Sequence, residues 1–155
     1  MITIGIILLF VALIVPGYRA YMVRRELRNT DNLIVSDIRR AEEEARRVGL
    51  AGTVILNPRL PGGTVLVGGN NQVVFSHPFP PKITVTSSFR ADLPCASVTA
   101  VLQVVPGSIL PFNAQGIPVA CGGTPLGPPT ETIALTSQDG DRLMITLDTR
   151  TGEVK

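Results

Sequence analysis

The sequence predicts an α+β fold: one long N-terminal α-helix, hydrophobic and then amphipathic, packed on a small antiparallel β-sheet head. Three observations predict it. Residues 1–16 carry no charge and are almost wholly apolar. Leu27, Ile34, Ile38, Ala41, Ala45 and Val48 recur at the three-, four- and seven-residue steps of a single helical face. After residue 50 the chain breaks into short β-type runs separated by glycine, proline and asparagine. The divisions that follow are an apolar helix half over 1–18, an amphipathic helix half over 19–51 and a β-rich globular head over 52–155.

The first element is too greasy for water. A helix over 1–16 rises about 24 Å at ~1.5 Å per residue. A bilayer core asks for about 30 Å, or ~20 residues, so the stretch is short by a turn or more. Its β-branched residues suit lipid, where no water competes for the backbone. Pro16-Gly17 is expected to kink or locally melt the helix, because Pro16 removes one backbone donor and crowds the preceding turn. Arg19, Arg24, Arg25 and Arg28 follow, and the positive-inside rule would hold that side in the cytoplasm. Either the head is cytoplasmic, or a basic leader precedes Met1.

Past residue 19 the helix becomes one-sided. Its polar face carries Arg39, Arg40, Glu42, Glu43, Glu44, Arg46 and Arg47. Glu42–Arg46 and Glu43–Arg47 stand at i,i+4 with the acid first, an arrangement worth about 0.2–0.5 kcal/mol per pair. Gly49 and Gly52 are the expected stops. The stripe Leu27, Ile34, Ile38, Ala41, Ala45 and Val48 is assigned to packing the helix on the head.

The head reads as strands at Thr53–Leu56, Thr64–Val67, Gln72–Ser76, Ile83–Ser87, Ser97–Val105, Ile117–Cys121, Thr132–Thr136 and Arg142–Asp148. Gly68-Gly69-Asn70-Asn71 and Asp139-Gly140 read as hairpin loops, since such residues tolerate positive φ. Leu143, Ile145 and Leu147 fall on one face of the last strand and Met144 and Thr146 on the other. Pro78, Pro80 and Pro81, then Pro125, Pro128 and Pro129, mark loops or sheet edges, because proline donates nothing to a ladder. With no tryptophan and 5% aromatic residues, the core must be built from Val, Ile and Leu.

Cys95 and Cys121 are the two cysteines. Two thiols cannot complete a tetrahedral zinc site. The favoured reading is a disulfide in an oxidising compartment, worth about 3–4 kcal/mol by loop entropy. The alternative is a pair of buried free thiols in the cytosol.

Catalytic sets are not found. His77, the one histidine, is read as a loop residue between Ser76 and Pro78 rather than as a base. Asp139-Gly140-Asp141 lacks the further acids of a calcium loop and reads as a turn. Gly62-Gly63 and Gly68-Gly69 precede no helix that could cradle a phosphate. The net charge of +2 is too small to make nucleic acid a principal partner. Arg150 and Lys155 are a weak signal for DNA contact. The expectation is a non-enzyme without cofactor or metal.

Met1 to Pro16 followed by Tyr18 and Tyr21 resembles the helix of type IV pilins and their type II secretion relatives, the pseudopilins. The stretch Asp37-Ile-Arg-Arg-Ala-Glu-Glu-Glu-Ala-Arg-Arg-Val-Gly49 is similar to the helix end of the H-type minor pseudopilins. Phe112-Asn-Ala-Gln-Gly-Ile-Pro118 resembles their mid-domain turn. Thr132-Ile-Ala-Leu135, Leu143–Leu147 and Thr151-Gly-Glu-Val154 resemble their closing hairpin and terminal motif. The resemblance implies a pilin-like fold and a structural filament subunit whose partners are identical or related subunits. It also implies residence in the inner (cytoplasmic) membrane before assembly and in a periplasmic or extracellular filament afterwards. On it, Ile4, Ile7, Phe10, Val11, Ile14, Tyr18 and Tyr21 are expected to pack against neighbouring subunits. The chain departs from the family in lacking a basic leader, a peptidase-site glycine and an early glutamate. About six residues ahead of Met1 would supply that acid and bring the span to ~20 residues; otherwise the chain is short by nature. A different class, a single-pass anchored extracytoplasmic binding module that does not polymerise, fits the same composition.

Overall fold

The computed structural model describes residues 2–48, 52–57, 63–67, 73–88, 109–120, 124, 126–127 and 129–155. Side chains are described for all of these except residues 2–16, 52–57, 65–67, 73 and 109. The order is one helix, α1 (Ile2–Val48), then β1 (Gly52–Asn57), β2 (Gly63–Val67), β3 (Val73–Pro78), β4 (Ile83–Ser87), β5 (Ile109–Phe112), β6 (Thr130–Ser137) and β7 (Arg142–Asp148). The fold is α+β, a long N-terminal helix against antiparallel sheets.

The helix runs 47 residues without interruption. The local melting expected at Pro16-Gly17 does not occur, and α-helix continues through both residues. Proline deletes a single i→i−4 bond, which the intact ladder on either side tolerates. The helix closes at Val48, with Arg46 and Arg47 in the last turn where cations suit the macrodipole. Gly52 is the first residue of β1 rather than a helix stop.

Two sheets, not one, cover the helix. The first has the order β3-β2-β1-β5 and the second β4-β6-β7, with every neighbouring pair antiparallel. Prolines divide them. Pro78 ends β3, Pro80 and Pro81 follow, and a turn closes by Ile83 N–H donating to Pro80 O at 3.1 Å. A segment so poor in N–H groups cannot extend the first ladder, and β4 joins β6 instead.

β5 was not foreseen. It is a four-residue run broken by Pro111, yet it occupies an outer edge beside β1, where a missing donor costs no ladder bond. Conversely, of the strand expected at Ile117–Cys121 the described residues 117–120 form a bridge, Phe112 to Pro118, with Val119 N–H donating to Pro111 O at 2.9 Å, and Cys121 lies outside the described residues. Asn113 takes up the backbone between them. Its Oδ1 accepts from the N–H of Gln115 and of Ile117, at 3.0 and 2.9 Å. The strand expected at Ser97–Val105 lies outside the described residues.

A single apolar core joins the layers. Leu27, Ile34, Ile38, Ala41 and Ala45 from α1 meet Ile83 and Val85 from β4, Ile133 and Leu135 from β6, and Ile145 and Leu147 from β7. Leu110 and Phe112 of β5 close it from the other sheet. Each large aliphatic side chain so buried contributes about 1.5–3 kcal/mol before entropy is charged. The chain end finishes the second sheet: Thr146 and Lys155 exchange N–H···O bonds of 2.8 and 2.9 Å along the free side of β7.

Candidate functional site

The candidate surfaces are the two faces of α1, one turned to the head and one turned away. On the inner face Leu27, Ile34, Ile38, Ala41 and Ala45 are all buried, whereas Val48 at the helix end is 45% exposed. Two polar residues interrupt the apolar stripe. Thr30 satisfies its hydroxyl locally, donating to Glu26 O at 2.9 Å. Asp37 does not stay local.

Asp37 is 2% exposed and stands one residue before Ile38 on the same face. Its Oδ2 accepts a hydrogen bond from the Thr64 hydroxyl on β2, itself fully buried. His77 Nδ1 on β3 lies 2.9 and 3.0 Å from Asp37 Oδ1 and Oδ2. One carboxylate thus ties the helix to two adjacent strands. The His77 ring packs on Phe75 with centroids 5.0 Å apart, and the Arg40 guanidinium lies 4.8 Å from the Phe75 centroid. His77 is therefore a strand residue held by a carboxylate, not a loop histidine. Pairing needs β3 close to β2, and Gly63 allows it: a Cβ there would run into the carbonyl oxygen of His77. The Thr64 hydroxyl donates to the same carboxylate that His77 Nδ1 faces, so the three side chains share one junction. It is an anchor.

A second polar junction forms at the C-terminal half of the helix. Arg46 pairs with Glu42 at 2.5 Å and donates from Nε to Gln115 O at 2.9 Å. Gly116 and Gly152, both at positive φ, pack beneath these side chains, where any Cβ would meet Arg46, Glu42 or the opposing glycine. A shallow charged groove between Glu42, Arg46, Gly152 and Val154 results. Arg47 pairs at i,i+3 with Glu44 at 2.7 Å rather than with Glu43 as expected. Both spacings bring helix neighbours together, and Glu43 turns to the groove side with Arg39. The hydrogen bond from Arg47 holds the Glu44 carboxyl below its ordinary range. Burial pushes Asp31 upward. Near the chain end, the N–H groups of Arg150 and Thr151 hold Asp148 down.

The outer face is wet. Tyr18 and Tyr21 are 62% and 61% exposed, and Arg25, Arg28 and Asn32 continue the exposed stripe at helical spacing. Arg24 reaches Asp141 in the β6–β7 turn at 3.2 Å, a surface pair of small worth. In that turn Gly140 has φ 88°, as an Asp-Gly hairpin requires. The side chains of Ile4, Ile7, Phe10, Val11 and Ile14 lie outside the described residues, as do Cys95 and Cys121. Among the described residues, no three His, Cys, Asp or Glu side chains cluster as a metal would need. Among them, too, no helix is long and apolar enough to cross a membrane.

Asp37 and His77 escaped the sequence reading for different reasons. Asp37 carried a usable signal, an acid three residues after Ile34 on a face otherwise apolar. His77 carried none, because its partner is distant in the chain.

The type IV minor pilin FimU of Pseudomonas aeruginosa, strain PAO1, superposes with a TM-score of 0.57 over 87% of this chain and 90% of its own, at 17% identity. A second crystal form of FimU gives 0.54 over 83% and 90%, at 15% identity. The chain has the fold of a type IV minor pilin. At such identities the likeness is one of architecture: a pilin fold with its helix laid on antiparallel sheets. No protein-family model and no curated protein matches the sequence.

Proposed function

We propose that this chain is a structural subunit, a pilin or minor pilin or pseudopilin, of a type IV pilus-like or type II secretion filament. The observation that carries the proposal is the pilin fold shared with FimU, combined with a helix that continues from the head into an uncharged apolar stretch. An apolar stem is costly in water and is stabilised equally by lipid or by other apolar stems. Transfer from inner membrane to helical bundle exchanges one such environment for another. The stem residues Ile4, Ile7, Phe10, Val11 and Ile14, with Tyr18 and Tyr21, form the contact with identical or related subunits. The inner stripe Leu27–Ala45 holds the head in place. Within the class, the Asp37–Gly49 helix end and the Thr151–Val154 terminus favour an H-type minor pseudopilin. Cys95 and Cys121 form a disulfide in the periplasmic or extracellular state. Catalysis plays no part in this role.

The test is cross-linking in cells. Single cysteines at stem positions such as Ile7→Cys should give disulfide-linked dimers on mild oxidation, and sheared surface filaments should contain the chain by mass spectrometry. A strictly monomeric chain under both treatments refutes the filament reading and leaves the non-polymerising anchored module.

A further inference from the structure

We propose that the exposed stripe Tyr18, Tyr21, Arg25 and Arg28 is a docking surface for the headgroups of anionic phospholipid. The proposal rests on the reading that residues 1–16 occupy a bilayer before assembly, and it adds a lipid preference that this reading does not contain.

Three features of the helix point to it. First, the four side chains follow one another at steps of three, four and three, so they share one face. The opposite face at this level, Leu27, Thr30 and Ile34, is buried on the head. The stripe therefore looks away from the protein's own core. Second, Arg25 and Arg28 are exposed and have no ion-pair partner among the described residues, whereas neighbouring Arg24 is occupied by Asp141. Two unpaired cations one helical turn apart on this face complement a negatively charged surface. Third, the order along the helix matches the layers of a membrane boundary. On this face apolar residues come first, then two tyrosines 62% and 61% exposed, then Arg25 and Arg28. Tyrosine rings suit the interface, with an apolar body and a wet hydroxyl.

The reach is adequate. Beyond residue 16 the helix rises ~1.5 Å per residue, which places Tyr18 and Tyr21 about 3–8 Å past the apolar end and Arg25 and Arg28 about 13–18 Å past it. The headgroup layer is about 5–8 Å deep on each side. Helical side chains lean toward the N-terminus, so the arginines reach back toward the membrane and not away from it. The remaining gap lies within the ~8 Å over which charge acts at physiological salt. Arg39, further along the same face, falls outside that range.

The experiment uses the full chain in mild detergent. Native mass spectrometry is used to follow titration with phosphatidylglycerol and, separately, phosphatidylcholine. The expected result is a preference for phosphatidylglycerol of about ten- to thirtyfold, lost in Arg25→Gln/Arg28→Gln and kept in Arg39→Gln. Circular dichroism should show equal helix content in all three. Equal binding of the two lipids, or a preference that survives in the double variant, overturns the proposal. So does a double variant whose only change is its oligomeric state, since the stripe would then be a contact between copies. Flotation with purely neutral vesicles separates this from the underlying reading. Failure to float at all refutes bilayer residence, whereas flotation without lipid preference refutes only the headgroup surface.

Discussion

The Asp37 anchor makes a quantitative prediction about how the helix is held. Replacing Asp37 with alanine strands the Thr64 hydroxyl, which is fully buried. A buried donor without a partner costs about 1–3 kcal/mol, and the lost bonds to a charged acceptor are of similar size. The substitution also removes a charge that was expensive to bury, which offsets part of the loss. The expected net destabilisation is about 2–4 kcal/mol. His77→Ala should cost less, about 1–3 kcal/mol, because the His77 side chain is 38% exposed and water can replace it at Asp37. Since both changes break the same contact, the double variant should cost less than the two single losses together, by about 1 kcal/mol or more. Urea unfolding of the full chain in mild detergent, followed by circular dichroism, gives all four free energies of the cycle. Additive losses would refute the idea that Asp37 and His77 act as one unit. A neutral Asp37→Ala would refute the anchor altogether.

Other outcomes follow from local geometry. Gly63→Ala should lower stability by about 1–3 kcal/mol through overpacking against the His77 carbonyl, and thermal melting of the full chain checks it. Asp31→Asn should raise the melting temperature at neutral pH, because burial raises the folded carboxyl above its unfolded value. The sign is fixed by linkage: the folded state holds the proton more tightly, so the penalty fades as pH falls through the raised value and is gone below about 3.9. Asp148 has the opposite sign. Its folded carboxyl is depressed by the Arg150 and Thr151 N–H groups, so its contribution is complete above about pH 4 and disappears as pH falls through the lower folded value. Melting curves from pH 7 to pH 2 should therefore show Asp148→Asn losing its difference from the parent at the acid end.

The helix and most strands were legible because their signals are periodic and local. Leu27, Ile34, Ile38, Ala41 and Ala45 announce one face by spacing alone, and Arg142–Asp148 announces itself by alternation and by the Asp139-Gly140 turn before it. What could not be read depended on partners distant in the chain. Ile109–Phe112 looks like a loop because of Pro111, and becomes a strand only because β1 offers an edge. Division into two sheets turns on which neighbour β4 finds after the Pro80-Pro81 turn. The Asp37–His77 contact spans the helix and the β2–β3 hairpin, and neither residue names the other. Val48 shows the reverse error: its spacing fits the stripe, but the helix has already left the head.

The continuous helix also has a mechanical side. Among the described residues, the first to sink into the head is Leu27, and burial then recurs on the same face as far as Ala45. Tension applied through the stem would pull along this seam, loading every contact at once instead of peeling them in turn. Slippage by one helical turn, ~5.4 Å, would carry the Asp37 carboxylate off Thr64 and His77 and set it among aliphatic side chains. A charge in the wrong notch resists such a slip far more steeply than a displaced methyl group does. The anchor would thus serve as a detent, keeping the head in register on a stem under strain.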